Sequence, residues 1–223
     1  MAFNQQQIVK IKGVADIVFC IDITQSMQPC IDKVKENIDV FIKGIKLGPN
    51  GDPIDWRARV IGYRDFEADT QYLFDNFDFS NSPDEIKNQL DQLVADGGGD
   101  EPESTLDAIM YAVKKSQWRS NCLHAVVVFT DSPTKPQLDS KTAAEFGIPA
   151  DLEVFKQELM KANVKLFLFA QKDSVYEELN AVPRTYITTY ENALEGLKNA
   201  DFNSLLDQLG KTLSQQASTG VYS

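Results

Sequence analysis

Apolar runs of strand length alternate along this chain with segments whose apolar positions recur every three to four residues. That alternation predicts an α/β domain with a mainly parallel sheet. Residues 16–22 form the first run. It is apolar on both sides of the two-residue repeat, as a central strand covered on both faces requires. Met27, Ile31, Val34, Ile38, Phe41 and Ile45 then mark one face of a long helix, with Pro29 acceptable in its first turn. A Gly/Pro/Asp loop over residues 47–55 leads to a second strand predicted over 56–66. Residues 71–77 follow too closely for a parallel crossover and should pair antiparallel at the sheet edge. Ser82-Pro83-Asp84-Glu85 opens a short helix ending near Val94. Leu106, Ile109, Met110 and Val113 mark another amphipathic helix, and residues 123–130 the next buried strand.

Beyond it, residues 135–150 read as a surface loop with one or two helical turns, and Leu152, Phe155 and Leu159 as the inner face of a helix. A strand over 164–170, a short helix over 174–179, an edge strand over 185–188 and a terminal helix over 201–215 complete the pattern, with a frayed polar tail after Gln216. The expected architecture is a Rossmann-like, doubly wound, mostly parallel sheet with one antiparallel edge strand and helices on both faces. It forms a single domain over residues 1–223 with a core of about 15–213.

Composition narrows the function classes. Of the 223 residues, 43% are hydrophobic and 25% charged, enough apolar material for a sizeable core. A net charge of −11 argues against a nucleic-acid surface, which needs clustered Lys and Arg, and against an anionic membrane surface. No apolar run approaches the roughly 18 residues that span a bilayer, and the first residues lack the basic and apolar segments of a signal peptide. Cys20, Cys30 and Cys122 are odd in number and follow no metal-ligand spacing. Reduced, buried thiols in a cytoplasmic protein are the expectation. His124, Trp56 and Trp118 read as packing residues.

The candidate chemistry lies at predicted strand ends. Asp22-Ile23-Thr24-Gln25-Ser26 follows the first apolar run directly. A carboxylate and two hydroxyls at that spacing are hard oxygen donors suited to a divalent cation such as Mg²⁺, although one triplet cannot fill six positions. Alone, Ser26 could simply cap the following helix. The strand over 123–130 ends at Asp131, and the loop Gly97-Gly98-Gly99-Asp100-Glu101-Pro102-Glu103-Ser104-Thr105 precedes a helix. In a doubly wound sheet, such carboxyl-end loops converge where the strand order reverses. The glycines could cradle phosphate, but the Gly-Lys-[Ser/Thr] ending of a P-loop is missing.

In that order and spacing, Asp-x-Thr-x-Ser, the Gly-rich loop and an apolar strand ending in Thr-Asp resemble the von Willebrand factor A domain. The resemblance covers residues 15–213. The family's metal-ion-dependent adhesion site usually reads Asp-x-Ser-x-Ser, so Thr24 is a departure that keeps the hydroxyl. The resemblance implies Mg²⁺, with Mn²⁺ or Ca²⁺ as substitutes, at Asp22, Thr24, Ser26, Asp131 and a third-loop residue. It also implies an open position for a partner's Asp or Glu. The commonest third loop supplies a Thr. Here Asp100-Glu101-Pro102-Glu103 is similar to the Asp-x-Pro-Glu stretch in the A-like domains of integrin β chains, and with Tyr63-Arg64-Asp65 to intracellular members. Glu103 is therefore expected as the ligand, with Thr105 the alternative. Asp65 is expected as a supporting or Arg-paired carboxylate, and Asp100 as a residue holding an adjacent ion or orienting the loop. Met27-Gln28 stands where integrin β domains carry the acidic pair of a neighbouring regulatory site, so none is expected.

The resulting expectation is a non-catalytic, Mg²⁺-dependent protein-binding module, a cytoplasmic adaptor or assembly factor. An extracellular adhesion domain cut from a larger chain is one alternative. An aspartate-nucleophile phosphohydrolase is the other: Asp22-x-Thr24 is superficially similar to its Asp-x-Asp-x-Thr motif, but Thr24 stands at the general acid and no well-placed His or Cys offers acid/base chemistry.

Overall fold

The computed structural model describes residues 13–46, 51, 53–75, 77–98, 101–191, 196–197 and 201–219. Among these residues the sheet holds six strands. Strand β1 (Val14–Asp22) lies between β2 (Asp55–Tyr63) and β4 (Leu123–Phe129), parallel to both. Strands β5 (Lys165–Gln171) and β6 (Thr185–Tyr190) continue in parallel, and β3 (Leu73–Phe74) pairs antiparallel with β2 at the other edge. The doubly wound, mostly parallel architecture read from the periodicity is the one observed.

Alternation along β1 feeds two cores. Ala15, Ile17, Phe19 and Ile21 face α1 (Gln28–Ile45), α2 (Pro83–Asp91) and the terminal helix α7 (Phe202–Ser218). Val18 and Cys20 face α3 (Thr105–Lys115), α5 (Leu152–Ala162) and α6 (Ser174–Leu179). Short α4 (Ser140–Phe146) lies on the segment after β4. Helices α1 and α7 meet backbone to backbone. A Cβ placed on Gly210 would come within 2.5 Å of the Phe41 carbonyl oxygen, and one on Gly44 within 3.0 Å of the Asp207 carbonyl oxygen.

Several expected boundaries move for local reasons. The second strand stops at Tyr63, because Arg64 N–H turns to the Tyr72 carbonyl and Asp65 accepts from Glu67 N–H in a tight turn. The antiparallel edge shrinks to two residues. Helix α2 ends at Asp91, three residues short of Val94. The last helix runs on to Ser218, capped by Asp201 accepting from Ser204 N–H. Most of the loop expected at 47–55 lies outside the described residues.

At the amino end of β1, Asp16 is fully buried and holds two guanidinium groups. Arg57 donates from Nε and Nη2 at 2.9 and 2.8 Å, and Arg119 from its backbone N–H and Nε, both at 2.7 Å. Burial is the largest single effect and would raise the Asp16 carboxyl, but these bonds together outweigh it and hold the carboxyl below the usual range. Trp118 stacks on His124, and Trp56 is buried in the core, as packing residues do.

Candidate metal centre

The chain runs from β1 to β2 on one side of the sheet and reaches β4 on the other, so the order reverses beside β1. Asp22 closes β1, and Asp131 follows β4 by two residues. The loop before α3 reaches the same edge. Glu103 N–H bonds to the Pro133 carbonyl at 3.0 Å, and the Glu103 carbonyl accepts from Lys135 N–H at 3.0 Å. A short parallel bridge therefore fixes Glu103 against the segment that carries Asp131.

The Gly-rich stretch closes the third side. Gln25 N–H reaches the Gly97 carbonyl at 3.3 Å, and Asp96 N–H the Ile23 carbonyl at 3.0 Å. Gly98 adopts φ +84°, and a Cβ there would lie 2.9 Å from Thr24 Cβ and 3.6 Å from Glu103 Oε1. Only glycine lets the backbone pass this close in that conformation. Asp22, Thr24, Ser26, Glu103 and Asp131 are thus gathered in one neighbourhood.

Their hydrogen bonds separate the roles available to them. Both oxygens of fully buried Asp22 are taken. Oδ1 accepts from Thr24 N–H at 2.9 Å and from Thr24 Oγ1 at 2.7 Å, and Oδ2 accepts from Thr130 Oγ1 at 2.7 Å. Because the Thr24 hydroxyl hydrogen points at Asp22, its lone pairs remain for another electrophile. The Ser26 hydroxyl reaches Asp131 and caps no helix: neither the 3₁₀ turn Gln25–Met27 nor α1 has a side-chain cap. Thr130, which the sequence marked only as the Thr of a strand-ending Thr-Asp pair, is thus a direct donor to Asp22.

Glu103 and Thr105, the two third-loop candidates, differ sharply. The Thr105 hydroxyl sits between two fully buried phenols, Tyr63 Oη at 3.0 Å and Tyr176 Oη at 2.9 Å. It is committed to a chain linking β2, α3 and α6. Glu103 Oε2 is buried with no hydrogen-bond partner. Burial, and then the charges of Asp22, Asp65, Asp69 and Asp131, push the Glu103 carboxyl up to about 8. Burial and Asp131 raise Asp22 to about 6, and burial raises Asp131. Three neighbouring carboxyls therefore resist ionisation together, and among the described residues no ion pair joins them to a Lys, Arg or His.

Asp65 sits behind this group. Its partners are Lys135 Nζ at 2.6 Å, Glu67 N–H at 2.8 Å and the Ser104 hydroxyl at 3.4 Å. The cation paired with it is Lys135, because Arg64 turns away to the Val94 carbonyl and the Phe74 ring. Asp69, which the sequence did not single out, accepts from Gly98 N–H at 3.2 Å and so supports the glycine turn. Asp100 lies outside the described residues. Among the described residues, no three His, Cys, Asp or Glu side chains are grouped as a carboxylate or thiolate metal cluster. The donor set is mixed, hydroxyl and carboxylate. That set, the unpartnered Glu103 oxygen and the glycine-lined approach fit a hard divalent cation.

A family model for the von Willebrand factor type A domain matches residues 16–210, and the chain belongs to that family of protein-interaction modules. Over 118 residues it is 30% identical to the alpha-protein kinase vwkA of Dictyostelium discoideum, a match that takes in 53% of this chain and 18% of that protein. Among solved structures, the SpRpn10 VWA domain aligns with a TM-score of 0.56 at 14% identity, covering 82% of this chain and 93% of that one. Proximal thread matrix protein 1 from the mussel byssus aligns with a TM-score of 0.61 at 17% identity, covering 91% of this chain and 47% of that one.

Proposed function

We propose that this domain is a non-catalytic module that binds a protein partner's Asp or Glu through Mg²⁺ held at the carboxyl edge of the sheet. The observation that carries this reading is the buried, unpartnered Glu103 carboxyl beside Asp22 and Asp131, with no side-chain cation among the described residues paired to any of the three. Thr24, Ser26 and Glu103 would hold the ion directly. Asp22, whose oxygens are both occupied by donors, would act by orienting Thr24, and Asp131 directly or through water. When bound, Mg²⁺ supplies a local positive charge that a partner carboxylate can approach on an otherwise acidic surface. Mn²⁺ and Ca²⁺ would substitute on the same oxygen chemistry.

We favour a cytoplasmic adaptor or assembly role over an extracellular one. All three thiols are buried and unpaired, as suits a reducing compartment. Similarity to a protein described as a kinase fits a module that recruits partners to such an assembly. Among the described residues no helix is long and apolar enough to cross a membrane.

Calorimetric titration of the metal-free protein with MgCl₂ tests the reading. Saturable binding should occur in the wild type and be lost in Asp131→Ala and Glu103→Ala. Equal binding in all three proteins would refute it. In co-purification, partners retained in MgCl₂ should be released by EDTA. Phosphatase turnover that depends on Asp22 would revive the enzymatic alternative.

A further inference from the structure

Beside the candidate centre runs a groove made by two adjoining clefts of about 310 and 410 Å³, which share Glu67, Pro102 and Lys135. It begins at the site itself: Glu101 and Pro102 immediately precede Glu103, and Lys135 N–H bonds to the Glu103 carbonyl. Pro102 and Pro136 give it an apolar wall, beside the polar Gln137, Asp139 and Ser140.

Its charges are unequal. The one lysine lining it, Lys135, has a side chain only 14% exposed, and its ammonium is engaged by Asp65 at 2.6 Å and Glu67 at 3.1 Å. Glu67 stands 68% exposed at the rim and Glu101 is exposed beside Pro102. The groove therefore offers an incoming chain an apolar wall and excess negative charge, with its cation already committed.

Resting on the Mg²⁺ reading above, we infer that this groove receives a Lys or Arg side chain adjacent in the partner's sequence to the acidic residue that meets the metal. Such a side chain matches the groove in both parts. Its methylene stem lies along Pro102 and Pro136, and its charged head meets Glu67 and Glu101. The same pairing answers an electrostatic difficulty. A lone acidic side chain entering beside Glu67 and Glu101 on a chain of net charge −11 is repelled, and a basic neighbour offsets that repulsion. The recognised element is then a mixed-charge dipeptide within an extended segment.

The probe is an array of acetylated hexapeptides, each with one fixed Asp and every residue type at the flanking positions. It is incubated with the full chain in MgCl₂ and in EDTA. Wild-type protein should favour Lys or Arg beside the Asp by about three- to fivefold over alanine, the scale of a partly exposed ion pair. Glu67→Gln/Glu101→Gln should lose that preference while keeping Mg²⁺-dependent retention, and Asp131→Ala should lose retention altogether. Mg²⁺-dependent retention without a basic preference, or a preference unchanged in the double variant, overturns the groove assignment alone. Retention that is absent, or indifferent to EDTA, overturns the metal reading and the groove assignment with it.

Discussion

Replacing Glu103 by glutamine should move the stability of this domain in opposite directions with and without Mg²⁺. The Glu103 carboxyl is buried among other carboxyls and raised from 4.5 to about 8. The folded, metal-free chain holds that proton more tightly than the unfolded chain. Stability is therefore fully present below pH 4.5 and is lost as the pH rises towards 8. At pH 7, about 2.5 units above the unfolded value and at 1.36 kcal/mol per unit, the loss is about 3 kcal/mol. The amide of the Glu103→Gln variant keeps the shape and cannot ionise, so in EDTA at pH 7 the variant should be more stable by about that amount. For a chain of this size that corresponds to a melting point higher by about 6–12 °C. At pH 4.5 the two proteins should melt nearly together. Saturating MgCl₂ should reverse the ranking, because the wild type gains binding energy and the variant loses a ligand. Thermal melts over pH 4.5–8, each in EDTA and in MgCl₂, provide the measurement. A variant less stable than wild type in EDTA at pH 8, or a gap independent of pH, would falsify the claim that Glu103 is an uncompensated buried acid.

Three further outcomes test other parts of the structure. Thr105→Val removes the hydroxyl between Tyr63 and Tyr176 and should cost about 1–3 kcal/mol in urea unfolding, while Mg²⁺ affinity measured by calorimetry stays near wild type; a large loss of affinity would make Thr105 the ligand. Asp16→Ala leaves Arg57 and Arg119 without their shared carboxylate and should cost about 3–5 kcal/mol at pH 7, again without changing metal affinity. The lowered Asp16 value makes its contribution present above the ordinary carboxylate range and lost as pH falls through the folded value, so the deficit should shrink in acid-unfolding curves. Gly210→Ala drives a methyl towards the Phe41 carbonyl; overpacking of about 1–3 kcal/mol should exceed the roughly 1 kcal/mol gained in helix propensity and lower the melting temperature.

The fold was legible because β1 is apolar on both faces and the helices keep a clean apolar stripe, patterns that burial itself imposes. The meeting of the three loops was legible from their positions at strand and helix ends. What the sequence could not separate was Glu103 from Thr105. Their difference depends on Tyr63 and Tyr176, which lie 42 and 71 residues from Thr105 along the chain and claim its hydroxyl. Lys135 was hidden for the same reason. Only the turn after β2 brings Asp65 to it, across 70 residues. The bond from Thr130 to Asp22 at 2.7 Å and that from Gly98 N–H to Asp69 at 3.2 Å join groups remote in sequence; the strand-ending Thr-Asp pair marked Thr130 without its partner, and nothing local marked Asp69.

Strand β1 carries a fully buried carboxylate near each end, Asp16 and Asp22. At Asp16 the chain supplies its own counter-charge through Arg57 and Arg119; at Asp22 it supplies only hydroxyl and amide dipoles. The domain is thus closed electrically at one pole and left open at the other. In alkali, the metal-free protein should loosen from the open pole, with the carboxyl edge of the sheet opening while the arginine-closed pole still holds. On the proposed reading, the end that would take the cation is also the end whose rigidity would depend on it, so docking and ordering there would be a single event.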